Sequence, residues 1–329
     1  MMRLAVAGLL LFVTVPAIAQ TQPQLTGATD IHDPTWTIVE GVHLAFATGV
    51  EGDATGGAIR VKTSPDGIAW ENAGTIGRGV PEWAEAAIGS KPPNIWAPSI
   101  FERDGTHYLY FSVSRFGRNT SAIGLMTNDA LDPARPNEGW VDQGVVLSTT
   151  TSDSFNAIDP ARIDTPDGRA WLVFGSHWDG IRMIELEPAT GKVLEPDGKL
   201  HWLASRGGGA IEAPSILARD GRFYLFVSFD RCCQGMASTY RIMVGRSDAI
   251  TGPYVDKEGI PMLVGGGSLV QDRAGRVIGP GGQEAFATPD GDVLVYHYYD
   301  QRSSGLPRLQ ISPIRWSEDG WPVLDPVAQ

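Results

Sequence analysis

Asp33, Asp159 and Glu212 are carboxylates at or just ahead of a proline, in Asp33-Pro34, Asp159-Pro160 and Glu212-Ala213-Pro214. Trp96 stands in the same setting in Trp96-Ala97-Pro98, and a fifth such segment reads Gly279-Pro280-Gly281-Gly282. If these positions converge, three acids and an indole face one another. An ionised carboxylate can take a proton from water while a proton-bearing carboxyl gives one to a leaving oxygen; inverting cleavage of a glycosidic bond needs that pair. A third negative charge, with partial desolvation, keeps the acid protonated near neutral pH. An indole can stack on the apolar face of a sugar ring. Each acid alone has a plainer reading, since Asp before Pro often shapes a turn. Their recurrence at matching places gives them weight.

Elements that could bring them together are written as a repeat. Each segment is followed by an apolar run, a Gly-centred turn and an aromatic-rich run, with turn glycines at Gly41, Gly105, Gly168, Gly221 and Gly291. The turns lie 64, 63, 53 and 70 residues apart. Asp-Gly between alternating apolar runs signals a hairpin, and runs such as Ala122-Ile123-Gly124-Leu125-Met126 and Arg241-Ile242-Met243-Val244-Gly245 supply further strands. Four strands per unit of ~50–70 residues point to an all-β, five-bladed β-propeller. A pair of β-sandwiches leaves the fivefold recurrence unexplained. In a propeller the innermost strands meet at one axis, which makes equivalent repeat positions neighbours.

Composition narrows the partners. The 329 residues include 40 Gly, 23 Pro and 10 Trp, with a net charge of −12. The frequent Gly and Pro argue against long helices, and the acidity argues against nucleic acid. Residues 1–19 read as a signal peptide: Met1-Met2-Arg3, an apolar run over 4–15, then Ala17-Ile18-Ala19. The expectation is an exported protein, periplasmic or extracellular, with an N-terminal extension over 20–29 and one propeller over 30–329. No later stretch is apolar enough to suggest a membrane span. Cys232-Cys233 leaves two readings open, because adjacent Cα atoms ~3.8 Å apart fall short of the usual ~4.4–6.8 Å of a disulfide. Either a strained bridge forms or two thiols stay reduced.

The segments His32-Asp33-Pro34, Trp96-Ala97-Pro98, Asn156-Ala157-Ile158-Asp159-Pro160, Ile211-Glu212-Ala213-Pro214, Phe229-Asp230-Arg231-Cys232-Cys233-Gln234-Gly235 and Val295-Tyr296-His297-Tyr298-Tyr299-Asp300 together resemble glycoside hydrolase family 43, and within it the endo-1,5-α-L-arabinanases. The resemblance runs from about residue 30 to the C-terminus. It implies inverting hydrolysis of internal α-1,5 links in arabinan, a side chain of pectin. Asp33 is then the general base, Glu212 the general acid, and Asp159 the residue that tunes and orients the acid. Trp96, Phe116, Gly117, Asn156, Ala157, Ile158, Ser176, His177 and Trp178 are implied to line the sugar subsites. His297 is implied to ligate a metal, Ca²⁺, otherwise held by water. The expected partner is arabinan or its oligosaccharides, met by a monomer. An exo-acting α-L-arabinofuranosidase or β-xylosidase of the same family is the enzymatic alternative, and a non-catalytic polysaccharide-binding propeller is the alternative from another class. Two departures stand out: His177 where relatives often carry an aromatic, and Gly281-Gly282-Gln283 in place of a commoner Gly-His-Asn.

Overall fold

A computed structural model describes residues 22–328; the expected signal peptide lies outside the described residues. Five antiparallel sheets follow one another along the chain. The first contains β2 (Thr35–Val39), β3 (Val42–Ala47), β4 (Arg60–Ser64) and β5 (Ala69–Thr75), with β1 (Thr26–Gly27) added in parallel to the outer edge of β5. The second is β6 (Trp96–Arg103), β7 (Thr106–Val113), β8 (Ser121–Asn128) and β9 (Val141–Thr149). The third is β10 (Ala161–Asp164), β11 (Ala170–Phe174), β12 (Ile181–Leu186) and β13 (His201–Ala204). The fourth is β14 (Ile211–Arg219), β15 (Arg222–Phe229), β16 (Arg241–Ser247) and β17 (Ser268–Gln271), and the fifth is β18 (Val277–Thr288), β19 (Gly291–Asp300), β20 (Leu306–Trp316) and β21 (Pro322–Leu324). This is the five-bladed β-propeller expected from the repeat. Gly41, Gly105, Gly168, Gly221 and Gly291 all have positive φ at the hairpins joining the first two strands of each blade.

The core is five layers, one between each pair of adjacent blades. A strand in the middle of a blade is covered on both faces, so both sets of alternate side chains must be apolar. In β7, Leu109, Phe111 and Val113 pack toward the first blade, and Tyr108 and Tyr110 toward the third. In β15, Leu225, Val227 and Phe229 join the layer shared with the third blade, while Tyr224 and Phe226 join that shared with the fifth. Each such side chain, removed from water, stabilises the layer by about 1.5–3 kcal/mol.

Closure between the fifth and first blades rests on the smallest layer, where Val295 and Leu309 meet Ile31, Trp36, Ala45, Ala47 and Trp70. The chain preceding the first blade reinforces it. Ile31 N–H bonds Pro307 O and Leu309 N–H bonds Thr29 O. The buried Gln22 side chain donates to Asp325 O and accepts from Gln310 and Ser312. Residues 22–29 are therefore built into the ring.

At the axis, each blade's innermost strand has, at or near its inner end, a residue with left-handed backbone: Asp33, Ala97, Asp159, Ala213 and Gly282, with φ between 41° and 57°. The amide of each is held by a side chain of the preceding blade. Thr48 Oγ1 accepts from Ala97 (2.9 Å), Ser112 Oγ from Asp159 (2.9 Å), Ser228 Oγ from Gly282 (3.1 Å) and His297 Nδ1 from Asp33 (3.1 Å). For Ala213 the acceptor is Asp159 Oδ2, at 3.1 Å.

Below this ring Glu284, on β18, is buried and accepts a 2.6 Å hydrogen bond from Ser99 Oγ of the second blade. Burial pushes its carboxyl up to about 7, against the hydrogen bonds from Ser99 and Thr35. A carboxyl raised in the folded state favours folding fully below its unfolded value of about 4.3 and loses that advantage as pH rises through the folded value. From pH 4 to pH 8 this group alone should lower the unfolding free energy by on the order of 3 kcal/mol. Urea unfolding at several pH values should show Glu284→Gln with a flatter decline than the parent; an identical decline contradicts the assignment.

Candidate active site

The register of the ring separates the sequence candidates into two kinds. Asp33 and Asp159 occupy the left-handed position itself, immediately before Pro34 and Pro160. Trp96 and Glu212 stand one residue earlier, before Ala97 and Ala213. The sequence reading treated all four as one position; the structure corrects this to two adjacent positions on the rim. Adjacent residues at a strand entry point in different directions, so acids of the two kinds can face each other across the axis. The distinction is local: pairing is irregular between Glu212 and Ser215 and between Trp96 and Ser99, where the strand turns toward the axis.

Asp33, Asp159 and Glu212 lie close enough that the negative charges of Asp33 and Glu212 hinder ionisation of Asp159, and that of Asp33 hinders Glu212. Their surroundings then diverge. Burial works against the ionised Asp33 carboxylate. The His32 imidazole outweighs it, donating from Nδ1 to Oδ2 at 2.7 Å, with help from His297 and from the Thr48 hydroxyl at 2.8 Å. Asp33 is held well below the usual carboxylate range. Glu212 goes the other way: burial and the charge of Asp33 raise it to about 7, while Ser176 Oγ, donating to Oε2 at 2.7 Å, and His32 pull it back. Tyr240 donates to its other oxygen, Oε1. Asp159 is pushed up by burial and by both acids. Near neutral pH the site therefore holds an ionised Asp33 opposite a proton-bearing Asp159–Glu212 pair, the distribution that acid and base catalysis requires.

The other sequence candidates spread over one end of the ring. Ser176 meets Glu212 directly, and His177 Nε2 lies 3.6 Å from Glu212 Oε2. His177 and Trp178 share the loop between β11 and β12, whose His177 amide is fixed to Ile211 O at 2.7 Å. Trp96 is half-buried at the head of β6, its Nε1 donating to Asn94 Oδ1. Asn156, Ala157 and Ile158 are buried; Asn156 accepts from Ser121 and donates to Arg118 O, which ties the second blade to the third. Phe116 and Gly117 sit on the loop after β7, with Phe116 87% exposed.

His32, Thr48, Tyr240 and Tyr299 were not singled out from the sequence. His32 adjoins Asp33, a signal available beforehand. Tyr240 carries none, because its approach to Glu212 depends on another blade. A Cβ on Gly281 would fall 2.2 Å from Tyr240 Cδ2, and one on Gly282 2.5 Å from Asp33 Oδ1. The unusual Gly281-Gly282 pair thus leaves room for both side chains. Cys232 and Cys233 form a disulfide, which settles the two readings in favour of the bridge.

His297 is fully buried on β19 with its ring stacked on His32, centroids 3.8 Å apart. Burial and the facing His32 keep it neutral, against the pull of Asp33. Its Nε2 has no partner among the described residues, and His32, Asp33 and His297 bring possible ligand atoms within 4.8 Å of one another. A neutral imidazole whose buried Nε2 is unpartnered fits a single protein ligand to a hydrated cation once its ring proton moves from Nε2 to Nδ1. It does not by itself supply the oxygen-rich shell that calcium takes, so water must provide the rest.

Comparison with known proteins agrees with this geometry. The chain is 40% identical over 294 residues to the extracellular endo-α-(1→5)-L-arabinanase 1 of Bacillus subtilis, covering 89% of this chain and 87% of that protein. It is 38% identical to the extracellular exo-α-(1→5)-L-arabinofuranosidase of Cellvibrio japonicus, covering 90% and 86%. Among solved structures, an endo-arabinanase from Bacillus licheniformis superposes with a TM-score of 0.83 at 40% identity, covering 92% of this chain and all of that one. The α-L-arabinanase of Cellvibrio cellulosa complexed with arabinohexaose gives 0.83 at 38% identity, covering 90% and 95%. The profile of glycosyl hydrolases family 43 matches residues 24–322, and with the propeller and its axial carboxylates this places the chain in that family as a glycoside hydrolase.

Proposed function

We propose that this hydrolase cuts internal α-1,5-arabinofuranosyl links of arabinan with inversion, and that it acts outside the cytoplasm. The observation that carries the chemistry is the opposite displacement of two neighbouring carboxyls, Asp33 down and Glu212, under burial and the charge of Asp33, up to about 7. Asp33 takes the proton of a water molecule on one face of the sugar, and Glu212 delivers its proton to the departing oxygen on the other. Asp159 acts on this exchange in two ways. Its Oδ2 fixes the amide of Ala213, the residue after Glu212, and its negative charge, when present, opposes ionisation of Glu212. Ser176 and Tyr240 clamp the two oxygens of Glu212, which fixes the direction in which the proton leaves. The substrate reading is supported by the arabinanase relatives, and the export reading by the extracellular names of two of them.

The exo-acting alternative keeps specific support in the relative named as an exo-α-(1→5)-L-arabinofuranosidase and in a solved exo-1,5-α-L-arabinanase from a bovine ruminal metagenomic library. Early products from debranched linear arabinan separate the two. Mixed oligosaccharide lengths are expected from internal cutting; a single short product indicates exo action.

Glu212→Ala and Asp33→Ala should each lower turnover by about 10²–10⁴-fold with folding intact, and proton NMR of the first product should show an inverted anomeric centre. The kcat/KM profile of the parent should fall on the alkaline side with an apparent value near 7 as Glu212 loses its proton. Asp33 stays ionised, so it should add no acidic fall above about pH 4. Full activity in Glu212→Ala, or retained configuration in the product, refutes the mechanism.

The reading includes a hydrated calcium ion held through His297 Nε2. When bound, it adds positive potential beside the acids and orders the water around them. Binding through Nε2 requires the ring proton on Nδ1, which gives up the Asp33 amide bond it accepts without the ion and faces Asp33 Oδ1, 3.6 Å away. Chelation should lower the melting temperature and turnover of the parent, with recovery on adding calcium, and should leave His297→Ala unchanged. A parent indifferent to chelation, after metal analysis confirms removal, removes the ion from the account.

A further inference from the structure

Asp33 is useful as a base only if its carboxylate keeps one orientation, and what sets that orientation extends beyond its immediate neighbours. His32 donates to Oδ2 from Nδ1, and its other nitrogen, Nε2, lies 2.8 Å from the Tyr299 hydroxyl. That hydroxyl accepts the backbone N–H of Cys233 at 2.8 Å. The Sγ of Cys232 lies 3.6 Å from the same hydroxyl and 3.7 Å from His32 Nε2. Cys233 has left-handed backbone, with φ at 64°, and the covalent ring of the adjacent-cysteine bridge confines the peptide that carries its N–H. Tyr299 is 3% exposed, so its hydroxyl has little recourse to water if that N–H turns away. The connection joins three blades: the loop after β15, strand β19 and the entry to β2. It crosses the closure of the ring, where the apolar layer is smallest.

We propose that the Cys232–Cys233 disulfide and Tyr299 are positioning groups that hold Asp33 through His32. This rests on the reading of Asp33 as the base. Three bonded contacts in series convert a backbone constraint on one loop into the orientation of a carboxylate two blades away. The disulfide's part is to keep one N–H aimed; it undergoes no reaction in turnover.

The test uses the full-length mature enzyme on linear arabinan. Tyr299→Phe keeps the ring and loses only the hydroxyl, and the paired substitution Cys232→Ser with Cys233→Ser keeps the loop and loses only the bridge. Each should lower kcat about tenfold, the size expected for losing one well-placed hydrogen bond in a transition state, with KM within about twofold and little change in melting temperature. Combining them should cost no more than the larger single loss, because they act in one series. If the serine pair folds poorly, the parent treated with a water-soluble phosphine, with thiols counted by mass spectrometry, should show the same fall in kcat and recover on reoxidation. Unchanged kcat in either Tyr299→Phe or the bridge-free enzyme, or losses that multiply in the combination, overturns the proposal. Failure of the underlying reading looks different: Asp33→Asn then retains turnover, whatever the bridge does.

Discussion

The site depends on a backbone constraint, the left-handed turn at or near the inner end of the innermost strand of every blade, and on the hydrogen bond that fixes its amide to the blade before. L-residues enter this conformation at a cost, so it persists because five such turns are fixed in a closed circle. The acceptors are small hydroxyls at Thr48, Ser112 and Ser228, but His297 and Asp159 at the other two. Of those two, Asp159 is itself one of the three acids and His297 lies 3.6 Å from the Asp33 carboxylate. The same hydrogen bonds that space the blades also tie Asp33 and Glu212 into one frame. Without a cation, His297 belongs to that frame as the acceptor of the Asp33 amide, which gives an imidazole a place inside an otherwise aromatic strand.

Within the frame, the division of labour comes from what surrounds each carboxyl. All three acids share the cost of leaving water. Asp33 is relieved by an imidazole and a hydroxyl that favour its charged form; Asp159 receives one backbone N–H and two negative neighbours. Glu212 is intermediate, with hydroxyl donors that steer it without fully reversing the effect of burial. Two residues of one chemical type thus differ in protonation because one turn places His32 beside the first and not beside the second.

The fold was legible because its signals are local. Asp104-Gly105 and Asp220-Gly221 require hairpins, and the alternating aromatic runs after them require strands covered on both sides. The three acids were legible because a propeller turns sequence periodicity into proximity. The one-residue offset between Asp33 and Glu212 was readable in their distances from Pro34 and Pro214, yet its meaning depends on the backbone bending at the strand entry. Tyr240 and Tyr299 were hidden, since each reaches its partner from a different blade and an isolated Tyr in a strand has many ordinary uses. The Cys232–Cys233 bond was undecidable from covalent distances alone; what the structure adds is a left-handed Cys233 with its N–H on a buried hydroxyl.

The central claim is that two like acids are driven to opposite ionisation by their places in the ring. Carboxyl carbon NMR of selectively labelled, ligand-free enzyme, titrated from pH 4 to 9, tests it most directly. The account predicts an Asp33 signal in the ionised position throughout, a Glu212 signal that moves near pH 7, and an Asp159 signal that stays in the protonated position well above the usual carboxylate range. Three independent titrations completed by about pH 5, as for carboxyls in water, would contradict it.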